Sequence, residues 1–321
     1  MAGNTTTDAI RERVGRLPLI DVGAFEVIEL LNSPNSTYDQ VVERLTPDIT
    51  ARFLNLANSA YYGMEVRSIG HAVKLLGYNA MRQNLITSFL IEHFTRHLDF
   101  DLFDFEGFQS RSQLAALAAR TLGDIMDYRQ PGDLYTAAVL HELGELVLAV
   151  YFRDVYRRIL ESAGGPADRR QSEAMHLGCS RFELCAMVLE RFNIPRVICD
   201  GVRHIDAVGR SMADAVDFEL EFILRESVQL AARFPTASAE TLNAVGDRLK
   251  QTVSVGRAVY RDAVSAQLQK GRYQEGFKSV LAVVSKLAAS AIRELLPETA
   301  VVETSGRKAA VGMRSHRLGG R

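Results

Sequence analysis

The chain has 321 residues, of which 47% are hydrophobic and 24% charged, and its formal net charge is −1. Such a composition predicts a folded protein of one or two domains with a sizeable core, and it argues against a disordered chain. Because the charges are nearly balanced, no overall electrostatic field is expected to recruit nucleic acid or a membrane surface.

The N-terminal third shows helical spacing of its apolar residues and no sustained alternation of period two, so we predict helices there. One of these helices is expected over 22–32. Thr37 and Gln40 have the spacing of a capping box at the start of the next helix. Ser68 is the expected cap of a short helix, and a longer helix is expected over about 80–97.

The remainder of the chain is also predicted to be helical. One continuous apolar helix is expected over 133–160, and the helices that follow are expected over 167–177, 180–193, 195–206 and 214–234. Two long helices then complete the pattern, over 238–269 and 273–296. An apolar stripe runs along the last helix; it consists of Phe277, Leu281, Val284, Ala288, Ile292 and Leu295. That stripe would either form a dimer interface or fold back onto the core, and both alternatives stay open.

An acidic and aromatic segment, residues 99–107, marks the expected boundary between two helical subdomains. The predicted fold class is all-α, with an N-terminal helical bundle packed on a second helical subdomain and followed by a long helical pair. The basic, Gly-rich tail is expected to be disordered. These parts are predicted to span 1–98, 99–235, 236–304 and 305–321, respectively.

Cysteine usage points to the compartment. Cys179, Cys185 and Cys199 are an odd number without a CxxC spacing, so free thiols in a reducing environment are expected. The N-terminus lacks the apolar core of a secretion signal, and no run reaches the ~18 apolar residues of a membrane span. We therefore expect a cytoplasmic protein without a membrane span, with the three cysteines in its core.

His141 and Glu142 are adjacent on the apolar helix predicted over 133–160, and such a pair invites interpretation as a metal site. Side chains of neighbouring helical residues point about 100° apart, so both reach one ion only if it lies over their shared edge. A zinc-protease HExxH motif is excluded, because the fifth residue is Glu145 and not a second histidine. The alternatives are a metal-dependent phosphohydrolase site and a buried histidine that its neighbours satisfy.

Five segments between about residues 15 and 235 resemble, in the same order along the chain, the HDOD family, bacterial relatives of the HD-domain phosphohydrolases. The N-terminal segments are LPLIDVGAFEVIELLNSPNSTYDQVVERLTPDITARFLNLANSAYYG and SIGHAVKLLGYNAMRQNL. They are followed, in the order typical of the family, by RSQLAALAAR, AAVLHELGELVL and GCSRFELCAMVLERFNIPRVICDGVRHID. The resemblance implies an all-helical signalling module whose second subdomain is a degenerate HD-like domain.

The resemblance also implies metal-ligand positions that this sequence does not keep. Arg111 and Arg181 stand where some family members have histidine, and arginine stays protonated and cannot bind a divalent ion. Glu142 replaces the usual aspartate and is expected to pair with one of these two arginines. We therefore expect no cofactor and no metal at the vestigial set of His141, Glu142, His204 and Asp206.

The function expected from these features is that of a non-catalytic signalling module acting through protein–protein contacts. No receiver, GGDEF or EAL domain is expected within the chain, so the partner would be a separate receiver, kinase, GGDEF or EAL protein, with a homodimer as an alternative. Two other functions stay open, a metal-dependent phosphohydrolase acting on cyclic nucleotides and a nucleotide-binding regulator. No nucleic-acid partner is expected, because no basic recognition helix stands out.

Two sets of candidate binding residues follow. A nucleotide-binding regulator would use a pocket of basic side chains, since paired arginines suit phosphate; these are Arg111, Arg181, His141 and His204. The junction between subdomains, or a contact with a partner, is expected in the ANSAYYG segment at Asn58, Ser59, Tyr61 and Tyr62. A helix stop packed by aromatic residues would explain the same segment.

Overall fold

The structure is a computed structural model that describes residues 2–17, 35–45, 66–76, 78–96, 98–99, 101–162, 166–207, 214–268 and 273–296, with a few positions between 26 and 58. Several sequence-based expectations lie outside the described residues. These are most of the helix expected over 22–32, the side chains Ser59, Tyr61 and Tyr62, and the basic tail 305–321.

The described part of the chain contains fourteen helices with defined bounds and no strand, as the all-α expectation requires. The first four are α1 (Ala2–Gly15), α2 (Tyr38–Val42), α3 (Ile69–Leu76) and α4 (Tyr78–Thr95). The central six are α5 (Phe105–Met126), α6 (Pro131–Leu140), α7 (Leu143–Tyr151), α8 (Arg153–Ser162), α9 (Pro166–His176) and α10 (Arg181–Arg191). The last four are α11 (Arg196–Arg203), α12 (Phe218–Ala231), α13 (Ala239–Leu268) and α14 (Tyr273–Arg293).

The two predicted helix caps, at Thr37 and at Ser68, are confirmed. Thr37 Oγ1 accepts a hydrogen bond from the backbone N–H of Gln40 at 3.4 Å, and Gln40 Oε1 accepts one from the N–H of Thr37 at 2.9 Å. This reciprocal pair is the expected capping box of α2. At α3, Ser68 Oγ accepts from the N–H of His71 at 3.1 Å.

The single helix predicted over 133–160 is wrong, because the chain breaks after Leu140 and again at Phe152. At the first break, two side chains form hydrogen bonds with carbonyl oxygens at the C-terminal end of α6. His141 Nδ1 lies 2.6 Å from the carbonyl oxygen of Ala138, and Cys185 Sγ donates to the carbonyl oxygen of Leu140 at 3.1 Å. Carbonyl groups at a helix end need such partners. The apolar periodicity continues across this break and therefore did not reveal it.

Helices α5, α6 and α7 form the centre of the described fold. Helix α5 packs on α6, α12, α13 and α14, while α7 packs on α4, α8 and α10. The approach of α7 to α10 is especially close at Gly144, where an added Cβ would lie 2.0 Å from the carbonyl oxygen of Arg181. A side chain of any size at this position would push the two helices apart.

The C-terminal pair folds back onto the core, which decides between the two alternatives for its apolar stripe. Helices α13 and α14 pack on each other, and both contact α5. The inward-facing stripe of α14 is buried at Leu281, Val284, Ala288 and Ile292. Leu295, which was also assigned to the stripe, is exposed instead.

Helix α1 was not predicted, and it ties the N-terminus to the second subdomain by packing on α10. Ile10, Val14 and Leu17 are buried, and their spacing of four and three residues is helical. Arg191 Nη2 donates to the carbonyl oxygen of Leu17 at 2.7 Å. Contacts between α1 and α10 therefore cross the predicted boundary between the first and second subdomains.

One segment, Pro131–Tyr151, is long and apolar enough to cross a membrane by length and composition. It corresponds to α6 and α7 together, and 89% of its apolar window is buried inside the protein. That degree of burial is typical of a core helix, which needs an apolar surface on all sides to fill the interior.

Candidate functional site

His141 and Glu142 occupy the break between α6 and α7, so they do not lie on one continuous helix as expected. His141 is only 1% exposed, and its ring stacks on Phe182 with centroids 6.3 Å apart. Because a carbonyl oxygen can only accept, Nδ1 of His141 carries the proton and donates to Ala138. Burial, with the nearby charges of Arg181 and Arg111, lowers the pKa of His141 to about 3. The imidazole is therefore neutral at neutral pH.

Glu142 pairs with Arg111, one of its two expected partners. The Nε of Arg111 donates to both carboxylate oxygens of Glu142, at 2.8 and 3.0 Å. The arginine reaches from α5 and also lies 3.7 Å from Asp104 and from Glu145. A guanidinium group thus contacts the carboxylate of the His141-Glu142 pair directly.

Glu145 extends this arrangement to α8 and α9. One carboxylate oxygen lies 2.8 Å from Arg169 Nη2, and the Tyr156 hydroxyl donates to the same oxygen at 3.0 Å. Burial alone would raise the pKa of Glu145, but the guanidinium groups of Arg169, Arg111 and Arg181 lower it to about 2. Burial and the charge of Glu145 instead raise the pKa of Glu142, with Arg111 opposing them.

Arg181 pairs with Glu173 and not with Glu142. Its Nη1 donates to one carboxylate oxygen at 3.0 Å, and its backbone N–H donates to the other at 3.0 Å. The guanidinium also lies over the ring of Phe182, 4.3 Å from its centroid. Glu173 is completely buried and receives a further contact from Arg169 Nε at 3.3 Å.

These side chains form one connected network, which we call the ionic cluster. Its acidic members are almost fully buried, whereas its basic members are partly exposed, so the guanidinium groups form the outer layer. The alternation of charges offsets the desolvation of each buried carboxylate. The ionic cluster consists of Arg111, Glu142, Glu145, Arg169, Glu173 and Arg181.

His204 and Asp206 make other contacts. His204 Nδ1 donates to the carbonyl oxygen of Asp200 at 2.8 Å and lies 3.8 Å from Glu221 of α12. Burial raises the pKa of Asp206, and the charge of Arg181 acts against that rise. The proposed pocket of Arg111, Arg181, His141 and His204 stays a prediction, but both of its guanidinium groups already contact glutamates.

The residues around His141 do not fit a divalent ion. In the described part of the chain, no group of three or more His, Cys, Asp or Glu side chains could hold a metal. The carboxylate of Glu142 is bound by Arg111, and a guanidinium is a permanent cation that repels a metal ion. The chemistry that this donor set supports is charge pairing and hydrogen bonding.

Of the ANSAYYG segment, only Asn58 is described. Its amide group donates to the carbonyl oxygen of Val66 at 2.8 Å and accepts a hydrogen bond from the N–H of the same residue. This pair of hydrogen bonds joins the Asn58 side chain to the backbone of Val66. The predicted contacts of Ser59, Tyr61 and Tyr62 lie outside the described residues.

Sequence reasoning missed three participants in the ionic cluster and its surroundings. Arg169 and Glu173 are four residues apart on a predicted helix, which is the spacing of a helical ion pair and was a usable signal. Glu145 was considered only as the residue that breaks an HExxH motif.

The three cysteines were predicted correctly, since Cys179, Cys185 and Cys199 are all buried and free.

The fold and site together define an all-helical protein in which arginines contact the acidic residues of the site. Profile comparison agrees with this class, because the HDOD domain matches residues 17–208, which is more than half of the chain. The chain belongs to the HDOD family. No curated protein sequence matches it.

Three solved structures show a similar fold. A protein provisionally described as a phosphohydrolase, from Shewanella amazonensis SB2B, has a TM-score of 0.61 at 22% identity and covers 89% of this chain and 98% of its own. An HDOD domain protein of unknown function from Geobacter sulfurreducens has a TM-score of 0.57 at 20% identity, covering 91% and 98%. A protein from Marinobacter aquaeolei VT8, provisionally described as a signal transduction protein, has a TM-score of 0.53 at 20% identity, covering 90% and 66%.

Proposed function

We propose that this HDOD protein is a non-catalytic bacterial signalling module that acts in the cytoplasm by binding another protein. The observation that carries the proposal is the contact of the Arg111 guanidinium with both carboxylate oxygens of Glu142. A phosphohydrolase needs that carboxylate for a metal ion, which would activate a water against the phosphoester. Here the carboxylate supports the fold instead.

The partner that we propose is a separate signalling protein, such as a receiver, kinase, GGDEF or EAL protein. The family membership supports a signalling role, and the Marinobacter neighbour of similar fold has been given a description of that kind. The proposed contact is the segment of Ser59, Tyr61 and Tyr62, because aromatic side chains are enriched at protein interfaces.

Metal content and hydrolysis, measured on one preparation, test the non-catalytic part of the proposal. Purified protein would be incubated with Mn²⁺, Fe²⁺ or Zn²⁺, desalted, and assayed with cyclic nucleotides and a chromogenic phosphodiester. We expect substoichiometric metal and no turnover, and His141→Ala should change neither. Stoichiometric metal that His141→Ala removes, together with hydrolysis, would replace this proposal with a metal-dependent phosphohydrolase.

Cross-linking followed by affinity purification from the source cells tests the binding part. The wild-type protein is expected to recover a signalling protein that the double variant Tyr61→Ala, Tyr62→Ala does not recover. A variant at the exposed position Arg170 is the matched control and should behave as wild type. Equal recovery by the wild-type protein and the double variant would exclude this segment as the contact. Recovery of no signalling protein by the wild type would contradict the binding proposal.

A nucleotide-binding regulator is the remaining outcome of these measurements. Such a protein would give a thermal shift with a nucleotide that Arg181→Gln abolishes, without any metal or hydrolysis. No contact in the described residues favours it over protein binding, because the guanidinium groups of Arg111 and Arg181 are already engaged by Glu142 and Glu173.

A further inference from the structure

Helix α9 differs from its neighbours in what it buries. Among its described side chains, only Ser172 and Glu173 are buried, and both are polar. Its one large apolar side chain, Met175, is 71% exposed. By contrast, α8 buries Tyr156 and Ile159 in the core. Between residues 168 and 176, helix α9 therefore lacks the apolar face that usually fixes a helix to a domain, and the buried Leu177 lies just past its end.

Polar contacts hold α9 in place. Arg169 lies 2.8 Å from Glu145 of α7, and Glu173 accepts from both the side chain and the backbone of Arg181 at the start of α10. Ser172 is hydrogen-bonded to Ser162 of α8. Three elements thus meet α9 through hydrogen bonds and ion pairs.

This form of attachment has a thermodynamic consequence. Burial of apolar surface is the dominant favourable contribution to folding. The net contribution of a buried ion pair is small once the desolvation of its charges is counted. An isolated helix of eleven residues is marginal in water. A segment with these properties belongs to the low end of local stability, and it can open while the remainder of the domain stays folded.

We propose that α9 is an ionic latch, which undocks from the ionic cluster as a unit while the helices around it stay folded. Undocking separates Arg169 from Glu145 and Glu173 from Arg181, so it exposes a carboxylate of α7 and a guanidinium of α10. The latch gives the protein a second conformation in which Glu145 and Arg181 have lost their partners on α9. This inference rests on the packing of α9 alone, and it holds whether or not the proposed function is correct.

The latch also predicts where the effect of a mutation should appear. If α9 opens locally, removing one of its ion pairs cannot lower the stability of the whole domain by more than the free energy of that local opening. The variant protein then populates the undocked state, and the core helices keep their protection. If α9 instead belongs to the main cooperative unit, the same mutation destabilises all helices together.

Amide hydrogen exchange resolved by peptide tests the latch. In the wild-type protein, residues 168–176 should exchange at least ~10-fold faster than the core of α5 and α12. In Glu173→Gln, exchange of 168–176 should rise by a further ~10-fold or more, while the urea midpoint stays close to that of wild type. Arg170→Gln is the matched control on the same helix, because Arg170 is exposed, and it should leave both readouts unchanged.

Two outcomes would overturn the latch. One is wild-type protection of 168–176 equal to that of the α5 core. The other is a uniform loss of protection in Glu173→Gln with a matching fall of the urea midpoint. The wild-type measurement decides the matter even if the variant does not fold. A wild-type comparison at low and high NaCl adds a further test, since salt screens the separated charges and should increase exchange of α9 selectively.

Discussion

Removing Arg111 while leaving Glu142 in place should destabilise the protein at least as much as removing both charges. In Arg111→Gln, the Glu142 carboxylate loses the guanidinium that contacts both of its oxygens, and it stays within reach of the negative Glu145. In Glu142→Gln, by contrast, Arg111 keeps Asp104 and Glu145 as neighbours at 3.7 Å. The two single variants are therefore unequal in their effect.

The size of each effect follows from burial. Breaking a fully buried ion pair costs about 3–5 kcal/mol, but the Arg111 side chain is 30% exposed, so we expect about 2 kcal/mol for Arg111→Gln. For Glu142→Gln we expect about 1 kcal/mol, the usual net value of a hydrogen bond. The double variant leaves no uncompensated charge at the pair, so it should cost less than the sum, with a coupling energy of about 1–2 kcal/mol.

Urea unfolding of the four proteins at pH 7.5, followed by circular dichroism, measures this coupling. A second series at pH 5 adds a check, because the raised pKa of Glu142 rises further in Arg111→Gln and favours protonation of the carboxylate as the pH falls. The loss caused by Arg111→Gln should therefore be smaller at pH 5. Single-variant losses that add within about 0.5 kcal/mol would refute the reasoning, because independent sites behave in that way.

Three further predictions concern the same core. His141 stays neutral in the folded protein but titrates near pH 6.5 in the unfolded chain. Its contribution to the free energy of unfolding is therefore complete above pH 6.5 and is lost as the pH falls towards 3. Between pH 7 and pH 5, the wild type should lose about 2 kcal/mol more of this free energy than His141→Gln. Burial raises the pKa of each thiol to about 12, so Ellman's reagent should react at pH 8 only after unfolding, at Cys179, Cys185 and Cys199. Gly144→Ala should cost about 2–4 kcal/mol in urea unfolding, because its Cβ would meet the backbone of α10, whereas Gly15→Ala meets no atom and should cost nothing.

Rejection would follow from three distinct results in these experiments. Parallel pH profiles of the free energy of unfolding for wild type and His141→Gln would show that the pKa of the histidine is the same in the folded and unfolded states. Rapid reaction of a thiol in the native protein would place that cysteine near the surface. Equal urea midpoints for Gly144→Ala and wild type would mean that α7 and α10 are free to separate.

The sequence was most informative where a local hydrogen bond sets a helix end. Thr37 with Gln40 and Ser68 were predicted as caps from spacing alone, since their partners are only three residues away. The periodicity of apolar residues likewise located α4 and α10 to α14, but it ran through the breaks after Leu140 and at Phe152. At the first break, apolar residues continue on both sides, and the group that stabilises it includes Cys185 from a helix more than forty residues away.

The ionic cluster could be predicted only in part, and the reason is its long range. The pairing of Glu142 with either Arg111 or Arg181 was expected because buried charges need partners, and the structure selects Arg111. The choice depends on which helix faces which, and that is a property of packing. Glu173 shows the same limit, since nothing in its local sequence distinguishes a fully buried glutamate from an exposed one.

A protein that supplies its own cations should not depend on metal for stability. Binding of an ion to the folded protein adds RT ln(1 + [L]/Kd) to the free energy of unfolding, which is about 2.7 kcal/mol at a hundredfold excess over Kd. A chelator removes this added stability. The guanidinium groups of Arg111, Arg169 and Arg181 are covalently attached to the chain, so the carboxylates stay neutralised at any metal concentration. The unfolding temperature should therefore be the same in EDTA and in Mn²⁺ or Zn²⁺. A fall in EDTA that returns with one particular metal, and is absent in His141→Ala, would show that an ion and not arginine balances these acids.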